Sequence, residues 1–277
     1  MIRVANAPVS YGAFELTVGV SPSVPEPVGV LTAMAAASYE GTELGPPGYL
    51  GDAATLHERL EQHSLELVGG FVPIRFGDPE EELSSLDRTL DLFDAARGSP
   101  RAVLCDGGER GEPVDWPRLA EGVGRAAARA RGRGYRPTFH HHMASRVQTP
   151  AEIERLLELT DVGLLLDTGH LLAGGGDPVR SLRDWRGRID HLHLKDVRLD
   201  VLRDAGNWAD AWRSGVFCEL GAGDAELEGF LAELVGSRYD GWLVVEQDRF
   251  LVSGEDSAEA ADAQARNRRW LAKRAGL

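Results

Sequence analysis

The sequence predicts a single closed (β/α)8 barrel, an α/β TIM barrel, over residues 1–277. Short apolar runs alternate from end to end with longer amphipathic segments, as in a parallel sheet joined by crossover helices. The length of 277 residues is ordinary for such a barrel. An open doubly wound sheet usually shows a G-x-G-x-x-G loop after an early strand, and "NAPVSYGAF" offers none. Without a linker or a low-complexity block, one domain is expected.

The apolar runs have the character of buried strands. Most are short, rich in leucine or β-branched residues, and bounded by Gly, Asp or Pro. The predicted strands cover 2–6, 41–45, 65–72, 101–106, 136–141, 162–167, 189–195 and 241–246.

The segments between these strands predict helices, several of which begin with a recognisable cap. Thr149 as N-cap, Pro150 at the first helical position and Glu152 three residues after the cap form a capping box. Asp177 followed by Pro178 repeats the pattern. The predicted helices cover 28–39, 52–64, 79–97, 115–134, 149–160, 177–185, 224–236 and 257–275.

Two connections stand out. "AGGGDP" at 173–178 is glycine-rich but lacks a Walker lysine, so it predicts a flexible loop rather than a phosphate cradle. The stretch 196–223 is longer than the roughly 2–6 residues usual for such a connection. It carries Trp208 and Trp212, so we expect an extended loop over the barrel mouth, acting as a lid or a substrate wall.

Composition narrows the function classes. The formal charge of −14 argues against attraction to nucleic acid or to an anionic membrane, although an acidic shell is compatible with a cation or a neutral polyol. No apolar run approaches the roughly 18 residues of a membrane helix. The N-terminus has no signal-like stretch, and Cys105 and Cys218 lie in apolar contexts typical of a reducing compartment. We therefore expect a cytoplasmic protein, and the sequence is compatible with a homo-oligomer.

Ligand-type side chains end four consecutive predicted strands. Residues two apart on a strand share a face, and the active site of a barrel lies at the carboxyl ends of its strands. His140, Asp167, His193 and Glu246 therefore reach corresponding heights inside the barrel. Two carboxylates and two imidazoles suit Mn²⁺, Co²⁺, Fe²⁺ or Zn²⁺ better than Mg²⁺ or Ca²⁺, which favour all-oxygen shells.

Each of these residues also has an ordinary structural explanation. Asp167 can cap the following turn, His193 can be a hydrogen-bonded barrel histidine, and Glu246 can pair with Lys195. The metal interpretation depends on all four residues occurring together at strand ends.

The run "FHHHM" separates by strand alternation into two faces. His140 and His142 are predicted to look into the barrel, and His141 toward the surrounding helices. His140 is the predicted strand-5 ligand, and His142 is its competitor.

Several motifs together resemble a known family. "LLLDTGHLLAGGGDP", "IDHLHLKDVR" and "GWLVVEQD" resemble the xylose-isomerase-like barrel superfamily of sugar isomerases, epimerases and dehydratases. The likeness covers nearly the whole chain. The spacings of 26 residues from Asp167 to His193 and of 53 residues from His193 to Glu246 make it more specific than any single motif. Within the superfamily, "NAPVSYGAFE", "YEGTELGPPGYL", "FHHHMASRVQT" and "GVFCELGAGD" resemble the inosose dehydratases of myo-inositol breakdown.

The resemblance implies a ligand set and a reaction. Family members bind one divalent metal through a strand-5 glutamate, an aspartate, a histidine and a glutamate, of which the last three map onto Asp167, His193 and Glu246. His140 stands where many members have the first glutamate. Inosose dehydratases remove water from a keto-inositol, 2-keto-myo-inositol, to give a cyclic diketone or its enol, with Mn²⁺ or Co²⁺.

Such a dehydration needs a base for the α-proton, a stabilised enolate and a protonated leaving hydroxide. His170, expected in the loop after Asp167, is the predicted base, and related dehydratases use a histidine there; a hydrogen bond that closes the loop is its structural alternative. His142 and Lys195 are candidates for proton donation or for binding hydroxyls, and Lys195 alternatively pairs with Glu246 or Glu43.

Four further residues are predicted around the substrate. Glu43 could bind hydroxyls or act as a base, and Arg198 could bridge to the substrate or pair with Asp196. Trp208 and Trp212 could shield the site from water, or simply pack.

The same metal site would also suit a ketose isomerase or epimerase, in which no hydroxide leaves. A non-catalytic polyol- or metal-binding barrel is a third reading. A metal-dependent endonuclease is disfavoured because that chemistry usually needs several metals and a basic face.

Overall fold

A computed structural model, which describes residues 1–76, 79–96, 98–251 and 257–277, contains a closed barrel of eight parallel strands. The strand order around the barrel is β1-β10-β7-β6-β5-β4-β3-β2, and β8 and β9 form a separate two-stranded sheet. The predicted (β/α)8 fold is confirmed. The strands are β1 Ile2–Asn6, β2 Gly41–Glu43, β3 Glu66–Ile74, β4 Arg101–Asp106, β5 Arg136–His140, β6 Gly163–Asp167, β7 Ile189–Leu194, β8 Asp196–Val197, β9 Phe217–Cys218 and β10 Gly241–Val245.

Helices surround the barrel on the outside. They are α1 Pro27–Ala36, α2 Ala53–His63, α3 Pro79–Phe93, α4 Trp116–Gly132, α5 Pro150–Leu159, α6 Thr168–Ala173, α7 Pro178–Asp184, α8 Leu199–Asp204, α9 Trp208–Arg213, α10 Leu227–Gly236 and α11 Ser257–Ala275, with a 3-10 turn at Pro8–Tyr11. The predicted helices match α1–α5, α7, α10 and α11 to within a few residues at each end. The predicted end of the third helix at position 97 lies outside the described residues. None of the described helices is long and apolar enough to cross a membrane.

The predicted caps are present. Glu152 accepts a hydrogen bond from the backbone N–H of Thr149 at 2.9 Å, which completes the reciprocal half of the capping box. Asp177 accepts from the backbone N–H of Arg180 at 3.0 Å at the start of α7.

Strand alternation creates two apolar layers. Outward side chains such as Leu164, Leu192 and Leu243 are buried against the helices. Inside the barrel, Ala5 and Val244 belong to a smaller apolar cluster with Ala7 and Val68. The polar residues at the carboxyl ends of the strands lie next to this apolar cluster.

Two of the sequence predictions are corrected by the structure. The residues after Asp167 form the short helix α6 instead of a loop, because the Asp167 carboxylate accepts from the backbone N–H of His170 at 2.8 Å and nucleates the turn. The second strand ends at Glu43 rather than at 45, and a register shift against β3 follows Thr42.

The 196–223 segment is an ordered subdomain of the barrel mouth, made of β8, α8, α9 and β9. Val197, Ala211, Val216 and Phe217 form its apolar cluster. The buried Asp196 carboxylate joins the segment to the following turn, since it accepts from four backbone N–H groups, those of Val197, Gly221, Gly223 and Ala225, at 2.8–3.1 Å.

We expect Asp196→Ala to lower the free energy of unfolding by about 2–4 kcal/mol, because four largely buried N–H groups lose their acceptor. Chemical denaturation followed by circular dichroism measures the loss. Asp204→Ala, at an exposed position of the same segment, is the matched control and should stay within about 0.5 kcal/mol of the unmodified protein. Equal midpoints for the two variants would contradict this role for Asp196.

Candidate functional site

A cavity of about 240 Å³ opens at the carboxyl end of the barrel strands. Its floor is polar and its walls are largely apolar, which is the usual character of a small-molecule site. The polar lining consists of Glu15, Glu43, His140, His142, His193, Lys195, Glu246 and Asp248. The apolar lining includes Val9, Phe14, Leu16, Pro46, Phe71, Trp208 and Trp212.

The barrel brings the four predicted metal ligands together. Asp167 and His193 are direct partners across β6 and β7, and Glu246 follows the neighbouring strand β10. The Oδ2 atom of Asp167 lies 4.0 Å from Nε2 of His140 and 3.6 Å from Nδ1 of His193. That Nδ1 atom is 3.0 Å from Oε2 of Glu246. All four side chains are buried.

Several of these atoms lack a hydrogen-bond partner within the described part of the chain. They include Nδ1 of His140, and also Oδ2 of Asp167 and Nδ1 of His193, which have charged neighbours in Lys195 and Glu246 without hydrogen-bond geometry. Donor atoms that share one ion at about 2.1 Å lie about 3–3.5 Å from one another, so the observed separations are close to those of a ligand set. Mixed nitrogen and oxygen donors gathered this closely in a buried site fit a transition-metal ion.

The Lys195 ammonium lies among three of the carboxylates of the site. Its Nζ atom lies 3.2 Å from Asp167, 3.0 Å from Glu246 and 2.8 Å from Asp248. Burial alone would lower the pKa of Lys195, but the charges of Asp167, Asp248 and Glu246 outweigh burial and raise it well above its usual value. Of the two alternative pairings predicted for Lys195, the structure contains the one with Glu246.

Glu43 lies at the bottom of the cavity between two imidazoles. Its Oε1 atom is 3.0 Å from Nε2 of His191 and 3.0 Å from Nε2 of His193. Burial alone would raise the pKa of Glu43, but the charge of His193 and the hydrogen bonds from both rings outweigh burial and lower it well below its usual range. A carboxylate with so low a pKa is a poor general base, so the geometry does not favour the predicted base role.

His142 lines the cavity, and one of its two ring nitrogens is hydrogen-bonded to the backbone. Its Nδ1 is 2.7 Å from the carbonyl oxygen of Met143. Because a carbonyl only accepts, Nδ1 carries the hydrogen and the neutral ring has its lone pair on Nε2. Burial, together with the nearby charge of Lys195, lowers the pKa of His142 and keeps the ring neutral.

His170 lies behind His142 instead of beside the substrate space. The two rings are in contact, with centroids 4.0 Å apart and planes inclined at 42°, and Nε2 of His170 is 3.2 Å from Nζ of Lys195. His170 is fully buried on α6 and is not part of the cavity lining. The structure therefore corrects the expectation of a loop histidine facing the substrate, because the α6 turn directs His170 behind the cavity wall.

The aromatic residues of the 196–223 segment cover the cavity, whereas Arg198 does not reach it. Trp208 and Trp212 both line the cavity, and the indole N–H of Trp212 donates to the backbone carbonyl of Asp248 at 3.0 Å. Arg198 lines a neighbouring cleft, where its guanidinium donates to the carbonyl of Gly215. As the N-cap residue of α8 it is turned to the outer face, so the structure does not bring this predicted substrate-binding residue to the site.

His141, predicted to turn away from the barrel interior, is fully buried outside the cavity lining. Its Nε2 accepts from the backbone N–H of Asp167 at 3.2 Å.

Asp248 and His191 are among the site residues that were given no role from the sequence. Asp248 was missed because it follows the end of β10, although its position two residues after Glu246 continues the inward face. His191 shares the inward face of β7 with His193. Its partner, Glu43, lies at the end of β2, and the sequence does not show that these two strands come together.

The chain matches known proteins over most of its length. The profile described as "Xylose isomerase-like TIM barrel" matches residues 31–274. The inosose dehydratase of Geobacillus kaustophilus is 34% identical over 246 residues, covering 79% of each chain. That of Lacticaseibacillus casei is 32% identical over 239 residues, covering 78% of this chain and 80% of its own length.

Solved structures share the fold at low identity. The IOLI protein with a bound zinc atom has a TM-score of 0.73 and 15% identity, covering 99% of this chain and 100% of its own. The probable 3-DHS dehydratase AsbF of Bacillus anthracis has a TM-score of 0.69 and 16% identity, covering 97% and 98%. At such identities the likeness shows the fold alone, and the profile and the curated relatives carry the assignment. The predicted resemblance is confirmed: the chain belongs to the xylose isomerase-like TIM-barrel family and, within it, is related to the inosose dehydratases.

Proposed function

We propose that this protein is a metal-dependent hydro-lyase that removes water from a keto-inositol, converting 2-keto-myo-inositol to a cyclic diketone. The observation that carries the proposal is the buried cluster in which His140, Asp167, His193 and Glu246 converge at the base of the cavity. The relation to inosose dehydratases at 30% identity or more supports a dehydratase acting on an inositol-like ring.

These four residues would hold one divalent ion. Their mixed nitrogen and oxygen donors favour Mn²⁺ or Co²⁺, with Fe²⁺ and Zn²⁺ as alternatives. When bound, such an ion polarises the substrate ketone and an adjacent hydroxyl as a Lewis acid. The protein's part is to fix the four donors on a rigid barrel and to keep bulk water away.

His142 is the proposed base because its free Nε2 belongs to a ring that lines the cavity. It would take the proton α to the ketone, and the C–H electron pair would form the enol double bond as the neighbouring C–O bond breaks. His142 could then return that proton to the leaving hydroxide, which departs as water. His170, whose ring packs against that of His142, would hold it in place.

Lys195 is better suited to stabilising charge than to giving up a proton. Three carboxylates raise its pKa, against the opposing effect of burial, so it stays an ammonium during the reaction. It can donate hydrogen bonds to the developing oxyanion or to a ring hydroxyl. Trp208, Trp212, Phe14 and Phe71 would shield these charges from water and contact the C–H faces of the ring.

Removing the metal should abolish dehydration and restoring it should recover the activity. The metal-stripped protein is incubated with 2-keto-myo-inositol, with and without Mn²⁺ or Co²⁺, and enone absorbance is followed. Epimerisation of a ketose without any enone signal would instead favour the isomerase or epimerase alternative. Absence of both reactions would favour a binding protein.

His193→Ala and Glu246→Gln should each lose stoichiometric metal while remaining folded, because each removes one donor of the buried set. Elemental analysis after gel filtration measures retention. Glu158→Gln, which changes an exposed carboxylate on α5, is the control and should retain the metal. Full retention by both site variants would place the ion elsewhere.

His142→Gln should lower kcat by about 10²–10⁴-fold with metal content unchanged, since it removes the base and not a proposed ligand. His170→Gln should cost less, because that ring acts through His142. Steady-state kinetics on the two variants separates the roles. The reverse order of effects would restore His170 as the base.

A further inference from the structure

One carboxylate beneath the cavity has no part in the proposed proton transfers. Glu43, at the end of β2, accepts from the Nε2 atoms of His191 and His193 through the same oxygen, at 3.0 Å each. Both histidines project from the inward face of β7, one pleat apart. The arrangement connects β2 with β7, which β1 and β10 separate in the barrel, through a single buried atom.

The backbone provides the space for this carboxylate. A Cβ atom at Gly69 on β3 would lie 2.8 Å from Oε1 of Glu43, so any larger residue there would displace the carboxylate. Glu43 is itself only 3% exposed. The position of Oε1 is therefore set by packing on one side and by two imidazoles on the other.

The contacts determine which nitrogen of His193 faces which neighbour. An ionised carboxylate only accepts hydrogen bonds, so the Nε2 atoms of both rings carry hydrogen. That assignment holds whether His193 is neutral or protonated. Nδ1 of His193 is then the ring atom that faces Glu246 at 3.0 Å and Asp167 at 3.6 Å.

We infer that Glu43 is a positioning residue, which holds His193 in the orientation and tautomer that present Nδ1 as a metal donor. His191 takes part as the second donor to the same oxygen. The inference rests on the proposed function only in assuming that a cation binds between Asp167, His193 and Glu246. It assigns Glu43 a role distinct from the base or hydroxyl-binding group predicted from the sequence.

A negative partner behind a ligating imidazole also makes the ring a stronger donor. Loss of such a partner typically weakens metal binding by about 10–100-fold. Glu43→Gln keeps the size and one acceptor oxygen but loses the charge, so it should fall in this range. Gly69→Ala leaves the carboxylate intact but moves it, so it should weaken binding in the same direction.

The test measures Co²⁺ and Zn²⁺ affinity by competition with a chromophoric chelator, on the intact chain and without substrate. Glu66→Gln is the matched control, since that carboxylate pairs with Arg3 on the outer rim of β3, and its affinity should not change. Thermal unfolding of the metal-free variants checks that each is folded. If Glu43→Gln does not fold, Gly69→Ala carries the test.

A spectroscopic readout separates positioning from general loosening. In the Co²⁺-loaded protein, the Nε2–H of a ligating histidine gives a strongly shifted, exchangeable proton signal. Glu43→Gln should move this signal or speed its exchange with solvent, and Glu66→Gln should leave it unchanged.

Unchanged affinity and an unchanged proton signal in folded Glu43→Gln would overturn the inference, as would absence of cation binding by the unmodified chain. Weakened binding in a protein that does not dehydrate keto-inositols would support the positioning role while rejecting the proposed reaction.

Discussion

Burial of excess negative charge at the barrel mouth is the constraint on which the rest of the site depends. Four carboxylates are buried here: those of Asp167, Glu246 and Asp248 surround the Lys195 ammonium, and that of Glu43 lies between His191 and His193. An uncompensated buried charge costs several kcal/mol, so each carboxylate must find a cation or several hydrogen-bond donors. Protonated histidine, lysine and a divalent ion can each neutralise these carboxylates. His193 and Lys195 contact oxygens of Asp167 and Glu246, which are also proposed metal ligands.

The scaffold supports this arrangement at several points that carry no chemistry. Asp167 turns one oxygen toward the start of α6 and the other toward the site, so the helix cap also orients the proposed ligand. Gly69 leaves room for the Glu43 carboxylate. Buried amides of Asn6, Gln247 and Gln264 connect β1, the end of β10 and α11 next to Glu246 and Asp248.

The 196–223 segment completes the site from above. At the start of the segment, the Asp196 carboxylate accepts a hydrogen bond from the backbone N–H of Gly221 near its end. The Trp212 indole donates to the carbonyl of Asp248, the residue whose side chain contacts Lys195. The cover of the cavity and its charged floor are therefore connected through one residue. Excluding water above the floor strengthens every interaction among the buried charges.

The order of short apolar runs and amphipathic segments was enough to predict the fold. The two-residue period of a strand, which is local, was enough to select the inward set of proposed ligands. His140, Asp167, His193 and Glu246 could be selected in this way, and so could the capping box at Thr149. Local periodicity does not say which residues from distant strands meet. The contact of Glu43 with His191, the three carboxylates around Lys195 and the position of His170 behind His142 all join residues far apart in the chain.

Arg198 and α6 show the same limit of local patterns, because at both places the prediction from the sequence was wrong. A polar residue beside a strand end looks like a site residue in the sequence, but the start of α8 turns Arg198 outward. The residues after Asp167 read as a loop, yet one carboxylate–amide hydrogen bond made them helical. The sequence determined which side chains the barrel could offer. Only the tertiary structure decided which of their atoms face one another, because charge pairing and tautomer choice depend on contacts that the chain makes after it closes.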